Sequence, residues 1–397
     1  MHHSADPYTP GSGIKPLKLA GRDAELEALE SLLDRVAAGL PERSLIYSGL
    51  RGVGKTVLLL EFETLAREAG WATNEVEEVG SGDFRLTLAE LAYQLLLSMS
   101  RKERMRKRAR QALGVLGSFA IESPGGFRAK LDVDIATGTA DSGDPERDLA
   151  ALLTEIGEVA RTGRTGALFL LDEMQGLSPE AMAAICMALN RVGQRGLPVA
   201  LVGAGLPPLP RLLRSAKPYA ERLFSYRELN RLSDAQARMA LVGPAALKQV
   251  EYEPEAVELI VERSRGYPHF IQEFGRVLWR EVESSPITAA DVQGAQALVD
   301  SALDRRFFKD RFESATDGEQ RYLAAMAELG DGPVKSADVA RQGAYRTRGS
   351  ASLPRDQLLR KDLIYSPRRG LLDFTVPLFT GYIRRIQPLS DFVEGSG

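Results

Sequence analysis

The 397 residues are 44% apolar and 26% charged, with 51 Lys+Arg against 54 Asp+Glu for a formal net charge of −3, which describes a globular protein of two or three domains and excludes a uniformly basic or acidic chain, so any nucleic-acid surface must be local. The single cysteine, Cys186, excludes an internal disulfide and a thiolate zinc cluster and suits a reducing cytoplasm. No stretch reaches the roughly 18 apolar residues of a membrane helix, and no secretory signal opens the sequence.

Residues 1–18, rich in Pro, Gly and Ser, are expected to be a disordered tail, and His2 and His3 read as a solvated end. Asp23 then caps a helix whose apolar face is Leu26, Leu29, Leu32, Leu33 and Val36, ending at Gly39. Ser44-Leu45-Ile46-Tyr47-Ser48 is a short buried strand. It leads into Gly49-Leu50-Arg51-Gly52-Val53-Gly54-Lys55-Thr56, a G-x-x-x-x-G-K-[ST] phosphate-binding loop. After it Val57, Leu58, Leu59, Leu60, Phe62 and Leu65 recur at helical spacing, so the loop has the strand–helix context this chemistry needs. The glycines let backbone N–H groups close around phosphate oxygens, and the helix N-terminus adds its positive end. Lys55 is expected on the β- and γ-phosphates and the Thr56 hydroxyl on Mg²⁺; the backbone of Gly49, Arg51, Gly52, Val53, Gly54 and Val57 completes the cradle.

Trp71 to Val79 reads as a second strand, followed by a helix carrying Leu88, Leu91, Leu95, Leu96 and Met99. The basic run Arg101 to Arg110 could touch nucleic-acid phosphates, but without interleaved aromatics a solvated helix end accounts for it better. Phe119 to Ile135, around Pro124-Gly125-Gly126, has the pattern of a hairpin, and residues 100–143 read as an insertion. Helix 146–160 leads to Ala167-Leu168-Phe169-Leu170-Leu171-Asp172-Glu173, a fully apolar run ending in acids. Such a central parallel strand, expected beside the loop, delivers carboxylates to the sheet's carboxyl edge. Asp172 then holds the Mg²⁺ shell and Glu173 polarises the attacking water. Gln175 is weighed as a helper for that water and assigned to packing. The next strand, 198–203, has no polar side chain at its tip. The alternation of strands and helices gives a parallel sheet with helices on both faces.

Helices at 233–247, 254–265 and 268–283, with another opening at Pro286-Ile287-Thr288, form a helical subdomain over 231–306. Residues 307–397 show helices at 318–329, 337–342 and 353–361 and a hairpin at 365–374, the layout of a winged helix-turn-helix. Nine basic residues between Lys335 and Arg369 face three acids. That bias motivates duplex DNA contact through Arg346, Arg348 and Arg355; protein contact or packing is the alternative.

Gly21-Arg22-x-x-Glu25, the phosphate loop and Leu171-Asp172-Glu173 together resemble AAA+-type ATPases of the archaeal origin-recognition class and the related STAND signalling ATPases, over about residues 19–390. The resemblance implies an α/β P-loop NTPase core over 19–230, a helical lid and a C-terminal winged helix-turn-helix domain. It makes Gly21 and Arg22 contacts to the adenine side and ATP with Mg²⁺ the cofactors. Gly266-Tyr267-Pro268 matches the Gly-x-Pro motif by which STAND proteins close over nucleotide, adding Pro268 and His269 to the nucleotide contacts. Two departures stand out. His269 occupies the position of the second-sensor arginine, which a neutral imidazole does not replace on a γ-phosphate, and the first-sensor residue is missing. Both imply slow hydrolysis or a conformational switch. Arg222 is the candidate arginine finger, acting in trans if the chain assembles into a homo-oligomer; a structural ion pair is its alternative. The expected function is a slow cytoplasmic ATPase switch that repositions a DNA-binding winged helix. Alternatives are an ATP-dependent signalling or defence protein-interaction switch without nucleic acid and, with less to support it, a metabolic kinase.

Overall fold

Ser44–Ser48 (β1) is buried at every position, and the sheet grows on both sides of it. The computed structural model describes residues 6–11, 13–79, 83–100, 106–119, 140–345 and 348–394. By their contacts these fall into two units: Arg22–Gly49 with Lys55–Leu229, and Met1–Gly21 with Leu50–Gly54 and Asn230–Gly397.

The first of these is an α/β unit. Its strands are β1, β2 (Ala72–Thr73), β3 (Glu77–Glu78), β4 (Ala167–Asp172), β5 (Val199–Gly205) and β6 (Phe224–Glu228), and its helices are α1 (Asp23–Ala37), α2 (Lys55–Glu68), α3 (Phe84–Ser100), α4 (Arg106–Phe119), α5 (Pro145–Gly163), α6 (Pro179–Gln194), α7 (Leu209–Ala216) and α8 (Ala220–Leu223). The order is β2-β4-β5-β1-β6, with β3 also on β4, all parallel. β5 therefore lies between β1 and β4. Central strands buried on both faces explain the unbroken apolar run of β4. Phe62, Leu58 and Leu59 of α2 are fully buried, each such burial stabilising by about 1.5–3 kcal/mol. Cys186 of α6 is buried as expected, and burial pushes its thiol up to about 12.

The single strand expected over Trp71–Val79 is two short ones. Asn74 breaks it: its side-chain amide donates to the Leu170 carbonyl (2.9 Å) and accepts from the Leu170 N–H (2.9 Å), supplying from a side chain the bonds a strand backbone would make. β6 was not foreseen, and Arg22, not Asp23, stands at the α1 N-cap. Among the residues of the expected hairpin, Phe119 closes α4; 120–135 lie outside the described residues.

The second unit is mostly helical: α9 (Asp234–Ala246), α10 (Pro254–Ser264), α11 (Pro268–Glu281), α12 (Ala289–Leu303), a π-helical turn (Asp304–Phe308), α13 (Lys309–Glu313), α14 (Asp317–Glu328), β7 (Val334–Lys335), α15 (Ser336–Gln342), α16 (Arg348–Arg360), β8 (Ile364–Tyr365), β9 (Leu371–Phe374), α17 (Phe379–Ile386) and α18 (Leu389–Glu394). Capping boxes at Ser233 and Thr288 start α9 and α12. β7, β9 and β8 form an antiparallel sheet, and with α14–α16 they give the element order expected of a winged helix. One apolar core runs from α9–α12 through Phe307, Phe308 and Phe312 to Phe374, Phe379 and Tyr382.

Part of the expected disordered tail is ordered. Tyr8 is only 2% exposed; its hydroxyl donates to the Leu241 carbonyl (2.7 Å) and lies 3.0 Å from that of Tyr252. Its ring sits over Gly275, where any Cβ would collide with it, and meets Trp279 edge-on. One aromatic filling a glycine notch outweighs the entropy that polar neighbours suggest the segment would keep.

Candidate nucleotide-binding site

The loop is built by its glycines. Gly52 (φ 78°) and Gly54 (φ 93°) occupy left-handed conformations that side chains rarely adopt. Gly49, at its root, donates its N–H to the Gly205 carbonyl of β5 (3.1 Å). Leu50–Gly54 belong by contacts to the mostly helical unit. There Arg51 N–H donates to the Thr375 carbonyl (3.0 Å), and His269 N–H, at the α11 N-terminus after Pro268, donates to the Gly52 carbonyl (3.3 Å). Val53 is buried. The His269 ring stacks on Phe307 (4.7 Å between centroids), and a Cβ on Gly52 would press on the Phe307 ring and meet the Cβ of His269. Nε2 of His269 and Nε of Arg51 are buried without a hydrogen-bond partner. Burial, then Arg311 and Arg306, lower the His269 pKa to about 4, so the ring is neutral.

In the α/β unit Lys55 and Thr56 open α2, with Val57 on the next, partly buried position. Lys55 is 6% exposed, and its ammonium reaches back to donate to the Gly49 carbonyl (3.1 Å). The Thr56 hydroxyl donates to Oδ2 of Asp172 (2.6 Å), whose Oδ1 accepts from Glu173 N–H (2.8 Å). Asp172 is 1% exposed, and burial raises its pKa against the opposing pull of these two bonds and Lys55. Although β5 separates β4 from β1, the carboxylate thus arrives at the first turn of α2. A buried carboxylate and a hydroxyl converging beside an ammonium fit a hard divalent cation that takes its remaining ligands from water and phosphate. Among the described residues no group of three or more His, Cys, Asp and Glu side chains forms an all-protein metal cage.

Glu173 follows in a left-handed conformation (φ 50°, ψ 36°). Its Oε2 accepts from Nε2 of Gln175 (2.5 Å), whose Oε1 accepts from Leu206 N–H (3.0 Å) at the end of β5. The sequence reading assigned Gln175 to packing; the signal for more was its place two residues after the acid. Phe307 and Arg311, beside His269, carried no sequence signal at all.

The other candidates divide between the two units. Gly21 (φ 66°) belongs to the mostly helical unit, where its carbonyl accepts a long bond (3.5 Å) from the Gln236 side chain. Arg22 is buried in the α/β unit, and burial lowers its pKa. Arg222 stands on α8, just before Phe224, which pairs with Ser44 at the start of β1. It is exposed and lines a groove of about 290 Å³ with Val36, Pro41, Leu189 and Leu197. That is the amino edge of the sheet, whereas Lys55 and Asp172 are at the carboxyl edge, so Arg222 cannot serve its own chain's site. Arg355 bonds its neighbour Asp356 (2.8 Å); Arg348 begins α16, and Arg346 lies outside the described residues.

Comparison with known proteins agrees with this geometry. Residues 18–202 match the profile of the AAA ATPase domain, and 305–383 that of a domain of unknown function (DUF8462). The chain thus carries an ATP-binding AAA+-type P-loop ATPase domain. In structure it is similar to a Walker-type ATPase of Pyrococcus abyssi (TM-score 0.51, 15% identity, covering 92% of this chain and 96% of that one). It is also similar to the Orc1 protein of Aeropyrum pernix in complex with DNA (0.45, 16%, 95% of each chain) and to Cdc6p of Pyrobaculum aerophilum (0.45, 13%, 100% and 98%). At 15% identity the likeness to the Pyrococcus abyssi protein speaks to fold alone. No curated protein matches the sequence.

Proposed function

We propose that this protein is an ATP-dependent switch that hydrolyses ATP slowly and transmits nucleotide state to a DNA-binding C-terminal region. The observation that carries the reading is the junction of the Thr56 hydroxyl with the buried Asp172 carboxylate, beside the buried Lys55. Lys55 would bind the β- and γ-phosphates and the loop amides of Gly49–Thr56 would orient the triphosphate; Thr56 with Asp172 would hold Mg²⁺, which would supply charge neutralisation for the phosphoryl group. Water attacks the γ-phosphorus as the β–γ bridging P–O bond breaks; its proton passes to the Glu173 carboxylate, and ADP and phosphate leave. Three features support slow turnover: neutral His269 in place of an arginine, the bare tip of β5, and Arg222 at the far edge, available only to a second copy. Gly21, Arg22, Val57 and Pro268 stand as nucleotide contacts in this reading. Because Leu50–Gly54 pack with the mostly helical unit, and that unit has one continuous core, lid and C-terminal region would respond together.

ATP binding and turnover of the parent, Lys55→Ala and Glu173→Gln test this. Lys55→Ala is expected to lose binding; Glu173→Gln is expected to bind ATP normally and to lose about 10²–10⁴-fold in kcat, the contribution of a general base. Undiminished binding in Lys55→Ala refutes the site. The DNA reading rests on the nine-to-three excess of basic residues in 335–369 and on Arg346, Arg348 and Arg355. The Arg355–Asp356 bond favours the second reading, a protein-interaction switch without nucleic acid. Duplex DNA affinity across a salt series decides between them: a DNA-binding surface gives a negative slope that shrinks on charge reversal at Arg348 and Arg355.

A further inference from the structure

β5 ends in Gly203, Ala204 and Gly205, with no functional group to offer to the site at the sheet's carboxyl edge. The neighbouring turn, Met174–Gly176, explains why. A Cβ on Gly203 would lie 2.1 Å from the Met174 sulfur, and one on Gly205 would lie 2.6 Å from Oε1 of Gln175. The tip is stripped of side chains because these two residues of the acidic strand's extension lie on it. Gln175 is held there in one orientation. Leu206 N–H can only donate, so the amide oxygen must face it, and the NH₂ end is left for Oε2 of Glu173. Glu173 meanwhile sits in a left-handed conformation that is unfavourable for a non-glycine residue and persists where its surroundings over-determine it. The Gly205 carbonyl in turn accepts from Gly49. A continuous set of bonds therefore runs from the Glu173 carboxylate through Gln175 to the end of β5 and the root of the phosphate loop.

We propose that Gln175 is the positioning residue for Glu173, reaching from β4's extension across Gly205 to supply the polar group that β5 lacks. The inference rests on the ATPase reading above, in which Glu173 accepts the proton of the attacking water. Gln175 fixes which way that carboxylate points relative to Lys55 and Thr56, and a misplacement of about 1 Å in such a group can cost 10²-fold in rate.

The test uses the full chain with ATP–Mg²⁺ and four variants: Gln175→Ala, Gln175→Glu, Gly205→Ala and the Gln175→Ala/Gly205→Ala double. Gln175→Ala and Gly205→Ala are each expected to lower kcat at least tenfold with KM and the Kd for ATP within twofold of the parent. Their losses should be non-additive, the double variant being no slower than the slower single one, because Gly205→Ala acts by displacing the amide that Gln175→Ala removes. Gln175→Glu keeps the shape and the acceptor for Leu206 but turns the donor into a like charge; it should lose kcat at least equally. A Gln175→Ala kcat within twofold of the parent, additive losses, or a Gln175→Glu variant as active as the parent overturns the proposal. So does a loss that tracks Tm and KM instead of kcat, which marks a merely structural residue. A parent that binds ATP no better than Lys55→Ala, or turns none over, overturns the ATPase reading beneath it and is recognised before any Gln175 variant is compared.

Discussion

Replacing Asp172 by Asn separates what the carboxylate does for function from what it costs the fold. Oδ1 accepts from Glu173 N–H and Oδ2 from the Thr56 hydroxyl. The Asn oxygen can keep the first bond, and the hydroxyl can rotate to accept from the Asn NH₂, so both survive. Burial raises the Asp172 pKa, which means that at neutral pH the folded chain holds a charge the unfolded chain carries more easily. Removing that charge should leave the ligand-free protein as stable or more stable. With ATP–Mg²⁺ at 100 times its Kd the parent should gain about 2.7 kcal/mol, a Tm rise of about 5–10 °C for a domain of this size. The variant, without the anionic ligand for the cation, should gain little. The assay is a thermal melt of both proteins with and without ATP–Mg²⁺. A ligand-free variant destabilised by about 2 kcal/mol, the worth of two lost hydrogen bonds, refutes the bonding argument; a full ATP–Mg²⁺ shift in the variant refutes the metal assignment.

His269 should make the protein acid-sensitive. Its folded pKa of about 4 lies below the ordinary 6.5, so the unfolded chain takes up the proton first and stability falls as pH drops from about 6.5 towards 4. The loss is on the order of 3 kcal/mol, and denaturation of His269→Gln across that window should show a flatter acid limb. Tyr8→Phe should cost about 1–2 kcal/mol for the hydroxyl lost from the Leu241 carbonyl and Tyr252, and Tyr8→Ala about 3–5 kcal/mol for the emptied notch over Gly275. Urea unfolding measures both, and unchanged midpoints would mean that the N-terminal anchor does not hold in solution.

What could be read without coordinates was whatever has a period or a fixed spacing. The glycine pattern of 49–56 announces its positive-φ turns, the unbroken run 167–171 announces a strand buried on both faces, and Ser233 and Thr288 announce their helix starts. What could not be read depends on partners distant in sequence. Asn74 interrupts a strand only because Leu170 lies opposite, and Tyr8 is anchored only because Gly275 leaves a notch, 267 positions along the numbering. β6 is short and half exposed, so it lacks the apolar run that marks β4. Gln175 looked like ordinary packing because its meaning comes from Gly205, a residue with no side chain to notice.

Cys186 offers a practical handle on this molecule. It is the sole thiol in the chain, enclosed among α6 residues of the α/β core, and burial holds it in its unreactive protonated form. Alkylation of that one sulfur can therefore occur only when the core opens, so its labelling rate clocks opening of the α/β unit alone. A maleimide pulse with and without ATP, read by mass spectrometry, would report how far nucleotide closes that unit down, without any introduced probe.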